Sequence, residues 1–197
     1  MDFLIATSNE GKVKEISGIF ASLNLKVRSV YEIDKNFLMP EETGKTFEEN
    51  AQIKAESVYK LTKMATIADD SGLEVSALSG APGIYSARYA GENASDGENI
   101  DKLLEKMKGV PESQRGAKFV CAICCILPNG EKIFSRGECC GFISNHMAGT
   151  KGFGYDPVFL TSSGKSFAEI SEQEKNEISH RGIALKELYK KLKDVIY

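Results

Sequence analysis

The chain has 197 residues, 42% hydrophobic and 27% charged, enough for one sizeable core and ordinary for a soluble globular protein. A net charge of -3 and a pI near 5.6 argue against a general nucleic-acid binder, although a small anionic ligand needs only a local positive site. The opening MDFLIAT lacks the basic start of a signal peptide, and no stretch reaches the ~18 uninterrupted apolar residues of a membrane span; a cytoplasmic protein without a membrane partner is expected.

In chain order, DFLIAT is a short buried strand and SNEGK leads from it into a helix. Val13, Ile16, Phe20 and Leu23 recur there at spacings of three and four, giving one apolar face. LKVRSV is a second strand, and residues 32–45 form a loop rich in acid and glycine. TFEE is a capping box that starts a helix at Thr46, with Glu49 reaching back, and Ala51, Ala55, Val58 and either Leu61 or Thr62 make its inner stripe. ATIAD is a strand that ends at the pair Asp69–Asp70. Residues 79–95 carry too many Gly and Pro breakers for regular structure.

A helix then uses Ile100, Leu103, Leu104 and Met107. Residues 117–127 and 131–143 form a hairpin around the turn signal PNG. GTKGFGYDP is a loop before a short VFL strand, Ser171 to Glu174 is a second capping box, and ALKELYKKLKDVI is an amphipathic helix with Lys on its outer face. The alternation of strands and helices followed by a hairpin predicts an α/β fold, a long twisted mixed sheet flanked by helices, in one domain over 1–197.

Several stretches carry chemistry. TSNEGK, residues 7–12, joins a buried strand to a helix start. Free N–H groups, a positive dipole end and Lys12 suit an anion there, Thr7, Ser8 and Asn9 add donors, and Gly11 lets a phosphate approach the backbone. It is not a Walker loop, because the leading Gly is missing and Val13 stands where Ser or Thr would bind magnesium. The stretch equally suits a plain cap by Ser8 or Asn9.

Asp69 and Asp70, beside Ser71 and Gly72, suit an Asx turn, but a turn needs one acid and there are two. Magnesium with a polyphosphate gives a reason for both, with Glu41 and Glu42 as a further source of acid and Asn50 and Lys54 one helical turn apart. GFGYDP, residues 152–157, suits stacking on a nucleobase, although its composition alone favours a core Phe with a Tyr in a tight loop. Lys175, His180 and Arg181 can donate to carbonyl-type acceptors, or simply cap a solvated helix junction. Arg88 is undecided between an acid partner and phosphate, and His146 reads as surface. Of the five cysteines, Cys121 lies in the unbroken apolar run FVCAICCIL, so buried packing thiols are expected over zinc.

Together ATSNEGKVKEI, EETGKTFEENAQIKAE, ADDSGLEVSALSGAPGIYSARYAG, GFGYDPVF and FAEISEQEKNEISHRGIAL resemble, in order, the inosine triphosphate pyrophosphatase or Ham1-like family. The resemblance implies a homodimer with two lobes closing over a nucleotide, and magnesium-dependent hydrolysis of ITP, dITP or XTP to the monophosphate and pyrophosphate. It implies that Thr7, Ser8, Asn9, Glu10, Gly11 and Lys12 hold the triphosphate. Asp70 would be general base and metal ligand, Glu41 the second metal ligand, and Ser71 a substrate contact. Phe153, Gly154, Tyr155 and Asp156 would line the base pocket, with Lys175, His180 and Arg181 gripping the purine. The rivals are a phosphotransferase that uses the 7–12 loop on ATP or another triphosphate, a nucleotide-sensing module without turnover, and a hydrolase of modified pyrimidine triphosphates or septum-related nucleotides on a similar scaffold.

Overall fold

Phe3, Leu4 and Ile5 have no exposed surface, as an apolar run without alternation requires of a strand buried on both faces. In the computed structural model, which describes residues 2–23 and 25–196, they form β1 (Asp2–Ile5) inside a six-stranded sheet. The order is β2-β1-β3-β4-β5-β6, with β2 (Lys26–Ser29), β3 (Thr66–Val75), β4 (Gly116–Ile126), β5 (Lys132–Ile143) and β6 (Phe159–Leu160). β1 runs parallel to β2, Asp2 opposite Lys26, and to β3, Leu4 opposite Thr66; β5 and β6 are antiparallel. The sheet is thus mixed, as the sequence predicts. The β4–β5 turn closes through the Leu127 amide, which donates to Glu131 O at 2.9 Å, and Gly130 takes a left-handed φ of 88° that glycine accepts without strain.

The chain divides into two compact units. The first comprises Met1–Asp70, Cys121–Gly137 and Arg181–Tyr197. Strand alternation sorts its apolar side chains onto two faces. Phe3, Ile5, Ile67, Cys121 and Ile123 cluster with Ile16 and Phe20 of α1 (Glu10–Ser22) and with Leu185 and Leu188 of α5 (His180–Ile196). Leu4, Ala6, Ala68, Cys124 and Ile126 cluster with Ala51, Ala55 and Val58 of α2 (Phe47–Thr62). Cys121, Cys124 and Cys125 are buried packing thiols, and burial pushes the Cys124 thiol up to about 12.

The second unit comprises Ser71–Val120 and Glu138–His180. Leu73, Phe119, Phe159 and Phe167 pack with Ile100 and Leu103 of α3 (Asp96–Lys106). Buried Arg115 donates to the carbonyls of Met107, Ile143 and Ser144 at 2.7–2.9 Å, which closes this unit without a carboxylate partner in those contacts. α4 (Glu172–Ile178) opens with the complete Ser171–Glu174 capping box.

Three local expectations need correction, and one open alternative is resolved. β3 does not stop at the acidic pair but runs five residues further, so Asp69–Asp70 is mid-strand and no Asx turn forms. Glu49 accepts from the Lys45 amide at 2.6 Å rather than reaching Thr46, although Thr46 does accept from the Glu49 amide at 3.1 Å. Leu61 is 56% exposed, so Thr62 takes the inner side. α5 begins at His180, four residues before the expected ALKEL run, because both His180 and Arg181 are buried. No helix among the described residues is long and apolar enough to cross a membrane.

Gly141 of β5 tests the packing of the last strand. A Cβ there would run into the Leu160 carbonyl and lie 2.6 Å from the Phe159 ring. Gly141→Ala is expected to lower the unfolding free energy by about 1–3 kcal/mol, the usual range for overpacking. Urea denaturation measures it, and an unchanged midpoint would show that β6 does not press on this glycine.

Candidate active site

Two adjacent carboxylates in one strand point to opposite faces, and each must find partners on its own side. Asp69 shares parity with Ile67 and so with the face covered by α1 and α5. Asp70 shares parity with Ala68 and so with the face covered by α2. Neither is solvated: Asp69 is 0% and Asp70 5% exposed.

On the first face Asp69 Oδ2 accepts from Arg181 Nε at 3.2 Å and Nη2 at 2.9 Å, and lies 3.2 Å from Lys12 Nζ. Arg181 also pairs through Nη1 with Glu15 of α1. The Cys121 thiol donates to the same Asp69 oxygen at 3.8 Å; burial and the adjacent anion push that thiol far up, so it keeps its proton. Burial alone would raise the proton affinity of Asp69, but the charges of Lys12 and Arg181 outweigh it and hold the carboxyl far below the usual range. Asp69 is thus ionised at neutral pH. Its Oδ1 is buried and has no hydrogen-bond partner among the described residues.

On the other face Asp70 Oδ1 pairs with Lys54 Nζ at 2.8 Å, and Oδ2 accepts from Asn50 Nδ2 at 3.3 Å. Lys54 is shared with Glu42 at 2.7 Å. Burial lowers the Lys54 pKa, but Asp70, Glu42 and Asp69 raise it further, so the ammonium stays charged. For Asp70 the balance runs the other way. Burial is the largest influence, and the attraction of Lys54 and Lys12 does not cancel it, so its proton affinity rises. Side by side, one acid is held ionised and the other is made a better proton acceptor.

At the start of α1, Asn9 caps the helix by accepting from the Lys12 amide at 3.0 Å, and Thr7 Oγ1 accepts from the Asn9 amide at 3.2 Å. The cap and the cationic start therefore coexist in TSNEGK. Ser8 and Glu10 are exposed, Gly11 and Lys12 are half-buried and Thr7 is buried.

In the second unit, the GFGYDP loop is held at several points. Asp156 accepts from the Phe153 amide at 3.0 Å and pairs with Lys175. The Lys175 ammonium lies 5.0 Å from the Phe153 ring centroid and 5.5 Å from that of Phe167. The Tyr155 hydroxyl donates to Ser86 O at 2.8 Å, and the Gly154 amide donates to Asp96 at 2.6 Å. Gly152, at φ 75°, can only be glycine, since a Cβ would run into the Asp156 carboxylate. His180 stacks on Phe119, 4.7 Å between centroids and 13° between planes.

The first unit thus assembles Lys12 and Arg181 at Asp69 and, on the other face of β3, Lys54 and Asn50 at Asp70, and the second assembles Phe153, Tyr155, Asp156 and Lys175. His180 and Arg181 are buried, not a solvated junction. Arg181 turns Nε and Nη2 onto Asp69 and Nη1 onto Glu15. Glu41 is exposed, and it is Glu42 that shares Lys54 with Asp70. Ser71 is half-buried on β3. Arg88 pairs with Glu92 at 3.8 Å and His146 is exposed. The sequence reading missed Glu15, although it follows Lys12 by three residues on the same helical face. It also missed Cys121 as a neighbour of Asp69; nothing in its apolar run signals that contact.

Comparison with known proteins agrees with these motifs. The model of the Ham1 family matches residues 3–191. A dITP/XTP pyrophosphatase of Clostridium perfringens is 47% identical over 201 residues, covering 98% of each chain. One from Bacillus licheniformis is 48% identical over 188 residues, covering 95% of each. Among solved structures, the Staphylococcus aureus Ham1 protein superposes with a TM-score of 0.86 at 44% identity, covering 98% of this chain and 99% of that one. A HAM1 protein from Coxiella burnetii gives 0.87 at 40% identity, with the same coverage.

Replacing Asp69 by Asn would leave Arg181 and Lys12 buried beside a neutral group. Asp69→Asn is expected to lose about 3–5 kcal/mol of stability at neutral pH, the cost of breaking a buried pair from one side. Because the folded carboxyl titrates below its unfolded value of about 3.9, this contribution is complete above that pH and is lost as the pH falls towards the folded pKa. Urea unfolding of both proteins at pH 7 and pH 3 should therefore show a gap that narrows in acid. A gap of the same size at both, or none at pH 7, would contradict the charge assignment.

Proposed function

The chain belongs to the Ham1 family, and we propose that it hydrolyses deaminated purine nucleoside triphosphates, ITP or dITP and XTP or dXTP, to the monophosphate and pyrophosphate. The names of its relatives support that substrate class. One observation carries the chemistry: Asp70 is a buried carboxylate held by Lys54 and Asn50, next to a buried Asp69 that engages the Lys12 ammonium.

In this reading Thr7, Ser8, Asn9, Glu10, Gly11 and Lys12 cradle the triphosphate, using the free N–H groups of α1 and the Lys12 charge. Asp70 takes a proton from a water molecule while the water oxygen bonds to the α-phosphorus. The α–β bridging bond breaks and pyrophosphate leaves with the electron pair. A carboxylate with raised proton affinity is a better general base than a solvated one. Lys54, held charged by Asp70 and Glu42, keeps that base in place.

In this reading magnesium sits on the Asp70 face. Each oxygen of Asp70 takes one donor in the contacts described above, and a carboxylate oxygen has capacity for a further partner. Asp69 is already matched by two cations. Asp70 and Glu41 would hold the ion, with water and phosphate oxygens completing its shell, and it would neutralise charge on the phosphates.

Phe153, Gly154, Tyr155 and Asp156 line the base site, Ser71 contacts substrate, and Lys175 and His180 face the purine edge. A 6-oxo group accepts from such donors. The 6-amino group of adenine would set donor against donor and leave buried groups unpaired. We assign Arg181 to the same substrate set, through its hold on Asp69 and thus on Lys12. The family reading further suggests that residues 1–197 act as one catalytic domain, in a cytoplasmic homodimer without nucleic-acid partners.

A product assay tests the reading. Magnesium-dependent release of pyrophosphate from dITP and XTP is expected, with ATP turned over at least about 100-fold more slowly, as mismatched buried donors require. Orthophosphate as the product, or equal rates on ATP and dITP, would refute it. Asp70→Asn is expected to abolish turnover while nucleotide binding survives; comparable activity in that variant would move the base elsewhere.

A further inference from the structure

Asn50 has no exposed surface, sits on α2 one turn before Lys54, and belongs to none of the roles assigned above. Its side-chain amide has one accepting and one donating end. The accepting end is committed: Asn50 Oδ1 takes the Gly44 backbone N–H at 2.8 Å, and a backbone N–H can only donate. The Nδ2 end must therefore face Asp70 Oδ2, where it lies at 3.3 Å. A flipped amide would oppose donor to donor at Gly44 and acceptor to acceptor at Asp70. The geometry thus fixes an assignment that side-chain amides often leave open.

The loop is built around this contact. A Cβ on Gly44 would lie 2.6 Å from Asn50 Oδ1, 2.7 Å from Glu49 Cβ and 2.9 Å from the Asn50 backbone nitrogen. Gly44 is thus present for close approach and not for a left-handed turn. Two residues earlier, Glu42 binds Lys54. The loop 40–45 consequently engages α2 at both residues that hold Asp70, one donor to each carboxylate oxygen.

From this juxtaposition we propose that Asn50 is a positioning residue for hydrolysis, clamping the Asp70 carboxylate and tying its orientation to the loop 40–45. The role rests on the reading of Asp70 as general base. Two donors on one helix, set in advance, leave the carboxylate little to reorganise when it takes the proton of the attacking water, which is where orientation contributes to rate.

Three variants separate the two ends of the amide. Asn50→Asp keeps an acceptor for Gly44 but replaces the donor to Asp70, and Asn50→Ala removes both. Gly44→Ala displaces Asn50 without altering it. The measurements are kcat and KM for pyrophosphate release from dITP with magnesium, and hydrogen exchange of the Gly44 amide by NMR.

Asn50→Asp is expected to retain Gly44 protection and lower kcat by about 100-fold with KM within about threefold, the scale of a misplaced catalytic group. Asn50→Ala should lose both protection and kcat. Gly44→Ala should lower kcat by about tenfold or more on the same grounds, and it decides the matter if α2 does not tolerate a change at position 50. Variants with wild-type kcat, or an Asn50→Ala protein with an undiminished Gly44 amide, overturn the role. If the wild-type protein itself releases no pyrophosphate, the functional reading falls and the role falls with it. An active wild type with unaffected variants removes the role of Asn50 alone.

Discussion

Two negative charges on consecutive strand residues, both withdrawn from water, set the terms for the rest of the first unit. Burying an unpaired carboxylate costs several kcal/mol, and strand geometry forbids the two from sharing one partner set. Asp69 is therefore met from α1 and α5 by Lys12 and Arg181, and Asp70 from α2 by Lys54 and Asn50. Three helices that would otherwise only cover apolar faces must each deliver polar groups at one height of β3. This explains why β3 continues through the pair: with partners on both faces the acids do not need a solvated strand end.

Symmetric placement does not give symmetric chemistry. The Asp69 face offers two cations and one of them, Arg181, is balanced by Glu15; the carboxyl is held ionised. The Asp70 face offers Lys54, whose charge is shared with Glu42, and a neutral amide, so burial prevails and the proton affinity rises. Neighbouring acids with opposite shifts are the arrangement that acid–base catalysis calls for. A second, separate balance operates in the GFGYDP loop. There Asp156 neutralises Lys175 while Phe153 and Phe167 flank its ammonium.

Much of this was legible in the residues. The spacing of Val13, Ile16 and Phe20, the caps at Thr46 and Ser171, and the PNG turn are local signals, and they place α1, α2, α4 and the hairpin correctly. Asn50 and Lys54 were recognisable as a pair from their four-residue spacing. What failed were readings in which a local signal met a tertiary one. Asp-Ser-Gly favours a turn by itself, yet strand pairing and two sets of partners keep it extended. Glu49 could cap at Thr46, yet the Lys45 amide takes it. His-Arg-Gly looks like a junction, yet burial draws both side chains into the start of α5.

The sequence by itself determined the element types, the opposite facing of Asp69 and Asp70, and the family, because periodicity, capping and ordered motifs are properties of the chain alone. It could not say which cation each acid would meet, since Lys12, Lys54 and Arg181 are 57, 16 and 112 positions from their partners. Nor could it choose between Glu41 and Glu42 for Lys54, or reveal Cys121 at Asp69. Those outcomes depend on which helix covers which face of the sheet and at what height. Only the packed structure decides that, because desolvation and pairing act through space and not along the chain.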